Sequence, residues 1–120
     1  MRSAISALAF VLAGTTPSAA DAPRVVAAKA AHGAQGLWRI EVTLAHPDSG
    51  WDHYASAWEV LAPDGTSLGV RELAHPHVDE QPFTRALSGI AIPEDVKEVA
   101  IRARCNLDGW APARFTLTLP

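Results

Sequence analysis

Tyr54-Ala55-Ser56-Ala57-Trp58-Glu59-Val60-Leu61-Ala62-Pro63-Asp64-Gly65-Thr66-Ser67-Leu68-Gly69-Val70 is the stretch on which the reading of the fold turns. Tyr54, Ser56, Trp58 and Val60 alternate with Ala55, Ala57, Glu59 and Leu61, the period of two that marks a strand. Pro63 presets φ at the first position of a type I turn, Asp64 suits the second, and Gly65 accepts a positive φ without a Cβ clash. A three-residue loop closed by such a glycine is a standard hairpin connection. It pairs Ala62 with Thr66, Val60 with Leu68 and Trp58 with Val70, so that apolar residues share a face. A two-residue loop would set Trp58 opposite Arg71, which fits the alternation less well.

Outward from this hairpin the same period recurs. Trp38, Ile40, Val42 and Leu44 alternate with Arg39, Glu41 and Thr43, and Phe115, Leu117 and Leu119 alternate with Thr116 and Thr118. Val96, Ala100 and Cys105 lie in a run rich in β-formers. No window holds a helical period, and proline and glycine punctuate the chain at short intervals. The reading is all-β: seven strands at about 23–31, 37–45, 53–62, 66–75, 83–91, 97–105 and 113–119. Seven strands in this length suit an immunoglobulin-like or fibronectin type III-like β-sandwich, with Trp58 in its core.

The first residues read differently. Met1-Arg2-Ser3 is a short positive segment, Ala4 to Ala13 is apolar and uncharged, and Gly14 to Pro17 breaks the run. Ser18-Ala19-Ala20 supplies small residues before a signal-peptidase site. Residues 1–20 are therefore expected to be a cleaved signal peptide, with cleavage after Ala22 as the alternative, and 21–120 a single domain. The apolar run is shorter than the roughly 20 residues a membrane-spanning helix needs. An exported, periplasmic or extracellular protein follows, with no membrane insertion of the mature chain.

The 120-residue chain carries a formal charge of −3, and loss of Arg2 with the leader makes it −4. An acidic domain without a basic run argues against nucleic acid as a partner. Cys105 is the sole cysteine, so no internal disulfide forms and stability must come from packing. The thiol is either a buried small hydrophobe or a free group open to pairing or metal binding.

Extending the hairpin register toward its open end sets His53 opposite His75 and Trp51 opposite His77, with cross-strand Cβ atoms about 5 Å apart. In a sandwich of this type the loops after strands two, four and six meet at one pole. Those loops run from His46 to Asp52, from His77 to Pro82 and from Asn106 to Pro112. That pole gathers four of the five histidines together with Asp48, Asp52, Asp79, Glu80 and Asp108. Neutral imidazoles suit zinc or copper. The candidate ligands are His46, His53, His75, His77 and Asp52, with an acid or Cys105 completing the shell. The competing reading has these histidines only hydrogen-bonding loop backbone. Trp51, Tyr54 and Trp110 are the candidate anchors of an interaction surface for a protein, peptide or glycan.

No Gly-x-Ser-x-Gly is present and no Ser/His/Asp arrangement specifies a triad. A sandwich this small, without a helix layer, is expected to offer little concave volume. No catalytic residue is assigned. The leading expectation is a non-enzymatic binding module that holds a divalent transition metal. The alternative is an envelope interaction or structural module with no small ligand.

Two runs, Gly50-Trp51-Asp52-His53-Tyr54-Ala55 with Trp58, and His75-Pro76-His77-Val78-Asp79-Glu80-Gln81-Pro82-Phe83-Thr84-Arg85, resemble the motifs of a family of short exported bacterial proteins. That resemblance implies a fold and an export route, and it carries no activity or ligand. Val99 to Asn106, Gly109-Trp110 and Phe115 to Pro120 resemble the last two strands of a fibronectin type III domain.

Overall fold

The computed structural model of the protein describes residues 22–120; the expected signal peptide lies outside them. The elements are β1 (Arg24–His32), β2 (Trp38–Ala45), β3 (Ala55–Leu61), β4 (Ser67–Glu72), β5 (Phe83–Ile90), β6 (Glu98–Cys105), β7 (Gly109–Trp110) and β8 (Phe115–Thr118). The described residues contain no α-helix, only a 3₁₀ turn at Ala34–Gly36. Every strand pairing is antiparallel. One sheet runs β1-β2-β5. The other runs β4-β3-β6, and both β7 and β8 pair with the far side of β6. The expected all-β sandwich is the architecture found; the last expected strand, 113–119, is β8, and β7 is an additional two-residue strand within the segment expected to be the Asn106–Pro112 loop.

The core lies between the two sheets. β2 turns Trp38, Ile40, Val42 and Leu44 inward, and β6 turns Val99, Ile101, Ala103 and Cys105 inward. Trp58 and Val60 of β3 and Phe83 and Ile90 of β5 pack with them. Trp58 has no exposed surface, and truncating a buried aromatic of this size costs about 3–5 kcal/mol.

The hairpin turn forms as its residues dictate, but the ladder below it slips. Gly65 takes φ +91°, its N–H donates to Ala62 O at 2.8 Å, and Ala62 N–H donates to Thr66 O at 2.8 Å. Asp64 Oδ1 accepts from Thr66 N–H at 3.0 Å. A register shift then follows between Leu61 and Val60. Leu61 lies opposite Ser67, but Val60 lies opposite Gly69 and Trp58 opposite Arg71. The expected Val60–Leu68 and Trp58–Val70 pairs are thus not made.

The reason lies on the opposite sheet. A Cβ on Gly69 would come within 2.9 Å of Leu87 Cδ2 and 3.9 Å of Ile90 Cγ1. Gly69 therefore faces β5 at close range, and the missing side chain makes room. Arg71 stands two positions on, at the sheet edge, and reaches across to donate to Ala86 O at 2.9 Å. Its Nη1 donates to Glu72 O as well, at 2.6 Å, so the head is satisfied at the edge. Val70 faces outward instead. An edge strand tolerates this inversion because only one of its sides is paired.

The slip also removes the basis for a cross-strand His53–His75 pair. β3 begins at Ala55 and β4 ends at Glu72, so neither histidine belongs to the ladder.

Candidate metal centre

The three loops expected at one pole are tied together there. Asp48 Oδ2, after β2, accepts from His77 N–H at 2.8 Å. Gln81 Oε1, before β5, accepts from His46 N–H at 3.0 Å, and Gln81 Nε2 donates to His77 O at 2.8 Å. Asn106, after β6, donates through Nδ2 to Trp51 O at 3.2 Å and Asp52 O at 3.1 Å. Its Oδ1 accepts from Tyr54 N–H at 2.8 Å, and its own N–H donates to Tyr54 O at 3.1 Å.

His46, His53 and Cys105 converge inside this pole. One ligand atom from each lies within 4.8 Å of the others. An ion centred in a triangle of that edge would stand at most about 2.8 Å from each donor, against roughly 2.0–2.3 Å in formed sites. Movement of each donor by about 0.5–0.8 Å would close that difference.

These residues arise by extension of the core stripes. His46 is two residues beyond Leu44, the last inward position of β2. Cys105 is two beyond Ala103 on β6. His53 is two before Ala55, which pairs with Cys105. The alternation that builds the apolar core therefore continues for one more step at the pole, where its inward positions carry metal-ligating chemistry.

Asp48 orients the first of them. His46 Nδ1 lies 2.6 Å from Asp48 Oδ1, and both side chains are fully buried. A carboxylate only accepts, so the Nδ1 hydrogen points at Asp48 and Nε2 becomes the basic nitrogen. This is the carboxylate–histidine arrangement that sets tautomer and ring direction in metal sites. Asp48 Oδ1 also accepts from Ala55 N–H at 2.9 Å. One carboxylate thus joins the end of β2, the start of β3 and the His77 loop.

His53 contributes the sharpest feature. Its Nε2 is buried without a hydrogen-bond partner, a state shared among the described residues by Trp58 Nε1 and His77 Nδ1, and of these three residues His53 alone belongs to the convergent donor group. Its ring stands edge-on to His46, centroids 4.7 Å apart at 84°. Cys105 is buried and unbridged, and its Sγ accepts from Leu107 N–H at 3.4 Å. A buried polar atom left without a partner costs about 1–3 kcal/mol. A cation bound by that nitrogen removes the deficit, so the donor set fits a transition metal.

The other expected ligands stand elsewhere. The His77 ring stacks on Phe83 at 3.8 Å and 11°, and its Nε2 accepts from Arg85 Nη2 at 2.9 Å. Burial, then the charges of Arg85 and His75, hold the His77 pKa below the ordinary histidine value. His75 is exposed, 4.7 Å from His77 between ring centroids, with Nδ1 2.9 Å from Pro76 O. Asp52 is exposed and joins the pole through its backbone carbonyl. None of these three lies in the convergent donor group.

Of the aromatic candidates, Trp51 is 65% exposed and packs edge-on to Tyr54 at 5.5 Å. The Trp110 ring lies under the guanidinium groups of Arg102 at 4.3 Å and Arg104 at 5.2 Å. Sequence reasoning grouped Asp48 with the acids of the pole but did not single it out. Its signal was position: with His46 buried at the end of an inward stripe, the nearby acid had to supply the missing hydrogen bond. Cys105 was readable as the fourth member of the Val99, Ile101, Ala103 stripe.

No family model matches the chain. It is 42% identical over 71 residues to a "Putative lipoprotein" of Halomicrobium mukohataei, an alignment covering 59% of this chain and 34% of that one. The chain thus spans about a third of that relative's length. In fold it is similar to a superoxide reductase (neelaredoxin) from Archaeoglobus fulgidus in the reduced form, with a TM-score of 0.51 and 14% identity, covering 88% of this chain and 97% of that one.

Proposed function

We propose that this chain is an exported metal-binding protein whose centre is formed by His46, His53 and Cys105, with Asp48 holding His46 in register. The observation that carries this reading is the convergence of donor atoms of His46, His53 and Cys105 within 4.8 Å, with Asp48 holding the His46 ring and a buried, unpartnered Nε2 on His53. Export is supported by the leader-like residues 1–20 and by similarity to a protein named as a lipoprotein. No helix among the described residues is long and apolar enough to cross a membrane.

The donor set narrows the metal. Imidazole suits zinc, copper, iron and nickel, and thiolate selects the softer of these. Structural zinc sites close with four ligands, whereas three donors converge among the described residues. Two imidazoles and one thiolate suit an open zinc site of three protein ligands as well as a redox-active ion, copper foremost. Such an ion would supply one-electron chemistry. The protein supplies a dry pocket, a fixed His46 tautomer and an N–H donor on the sulfur, the features that tune a centre's potential.

Titration with Cu²⁺, Fe²⁺ and Co²⁺, the last as a spectroscopic substitute for zinc, tests the reading. A visible thiolate-to-metal absorption band, saturating at one equivalent and lost in Cys105→Ser, is expected. Absence of such a band with all three ions, or binding unaltered in Cys105→Ser, overturns it.

A second reading is favoured by the fold. Similarity to a superoxide reductase, with a thiolate-bearing donor set, makes superoxide a candidate substrate. One electron from the reduced centre and two protons would convert it to hydrogen peroxide. Metal-loaded, reduced protein should then be oxidised stoichiometrically by enzymatically generated superoxide, with peroxide released. Retention of the reduced spectrum leaves the metal-holding role alone.

The interaction-module alternative rests on Trp51, Tyr54 and Trp110 and on a partner protein, peptide or glycan. It requires no metal, and partner capture that ignores chelator treatment supports it.

A further inference from the structure

A groove of about 810 Å³ opens between the start of β1 and the segment that joins β6 to β8. This is more concave space than a small sandwich was expected to offer. It is large enough for an organic molecule of moderate size. Its wall is apolar: Val25, Ala103, Trp110 and Phe115 line it. Ala103 is an inward-facing core residue, so the groove reaches toward the space between the sheets.

The charges around it are unbalanced. Arg24 and Arg114 line the groove and Asp108 is the acid beside them, leaving a net +1 on a chain of −3. Among the described residues the cations in ion pairs are Lys29, Arg39, His46, Arg85, Arg102 and Arg104. Arg24 and Arg114 are in none of them; Arg114 feels the charge of Glu59, but that carboxylate is held by Arg102. Both are exposed, so each guanidinium has donors open to a ligand. Arg102 and Arg104, already paired with Glu59 and Glu72, cover Trp110 and stiffen that wall.

We propose that this groove binds an amphipathic organic anion, with an apolar body against Val25, Trp110 and Phe115 and a carboxylate at the Arg24–Arg114 rim. An apolar trough alone would accept any hydrocarbon. Two arginines without ion-pair partners at its edge make the choice of headgroup, because a carboxylate gains charge-assisted hydrogen bonds there and an ammonium meets repulsion. The site is separate from the donor triad and stands whether or not that centre holds a metal.

The test uses the full chain and three twelve-carbon probes: dodecanoate, dodecanol and dodecyltrimethylammonium. Calorimetry and Trp fluorescence should give saturable 1:1 binding of dodecanoate below its micellar range, at least tenfold tighter than either other probe. Arg24→Glu with Arg114→Glu should weaken dodecanoate at least tenfold and leave the cationic probe unweakened. Ala113→Trp, which adds bulk to the lining, should weaken all three. Should the double variant misfold, the headgroup comparison on the unaltered chain still decides. No saturable dodecanoate binding, equal binding of all three headgroups, or dodecanoate affinity that survives charge reversal overturns the proposal.

Discussion

Two histidine pairs occupy the same pole with the same ring spacing and opposite surroundings. His46 and His53 have centroids 4.7 Å apart, and so do His75 and His77. In the first pair the rings stand edge-on at 84°, one nitrogen is held by a buried carboxylate, another is buried without a partner, and a thiol completes the triangle. In the second the rings are tilted at 36°, the His77 Nε2 faces Arg85, that ring lies flat on Phe83, and its Nδ1 is also buried without a partner, but no thiol converges there. A guanidinium donating to His77 Nε2 uses the lone pair a metal would need. Proximity of imidazoles is therefore a weak criterion. An unpartnered nitrogen alone does not separate a ligand set from a packed pair either; convergence of two imidazoles and a thiol within 4.8 Å does.

The contrast is broken most directly at the sulfur. Cys105→Ser should lower metal affinity by about 100-fold or more and abolish the thiolate absorption, because a soft anionic donor becomes a neutral hydroxyl. His75→Ala with His77→Phe should change affinity by less than about twofold, since ligands outside the coordination shell that hold no ligand in place contribute little. Equal losses from both would show that the two pairs act as one site.

Asp48→Asn is expected next in size. Removal of a carboxylate behind a ligating histidine typically costs about 10–100-fold in affinity. The same carboxylate also accepts from Ala55 and His77 backbone N–H groups, so unfolding free energy of the metal-free chain should fall by about 2 kcal/mol. Chemical denaturation and metal titration read the two effects separately. A variant with unaltered affinity removes Asp48 as the positioning residue.

The second pair carries an acid signature of its own. The His77 pKa is lowered in the fold, chiefly by burial, from the ordinary 6.5. The unfolded chain therefore takes up the proton first as pH falls, and stability is lost from about 6.5 down to the folded value. Above that window the contribution is complete. The melting temperature of the unaltered chain should drop on acidification through this window, and His77→Phe should flatten that limb. A limb that stays equally steep in the variant assigns the titration to another group.

The smallest effect belongs to Trp51→Ala. The ring is mostly exposed and contacts Tyr54 by its edge, so stability should move by no more than about 0.5 kcal/mol. Metal affinity should be unaltered. Loss of a captured partner in this variant alone would favour the interaction reading over the metal reading.

Much of the fold was legible before any coordinates. Inward stripes such as Trp38-Ile40-Val42-Leu44 exist because side chains alternate across a pleated strand, and this is a local property. The Pro63-Asp64-Gly65 turn was equally local, since a proline φ and a glycine at +91° need no distant partner. The meeting of three loops at one pole followed from strand order. The ligand pattern was half visible: His46, His53 and Cys105 each extend an inward stripe by one step.

The register below the turn, and with it the choice among the histidines, was decided by tertiary contact. Alternation of apolar residues on β4 argued for Trp58 opposite Val70. The sheet opposite brings Leu87 and Ile90 to within contact of a Cβ at Gly69, and no local rule anticipates a clash with residues eighteen and twenty-one positions further along the chain. That approach sets Arg71 opposite Trp58 and ends the ladder short of His53 and His75. Likewise, which nitrogen is left bare depends on where Asp48, Arg85 and Phe83 arrive from separate loops and strands. Residue types along a chain state what each group wants; only the packed structure states which of those wants are met.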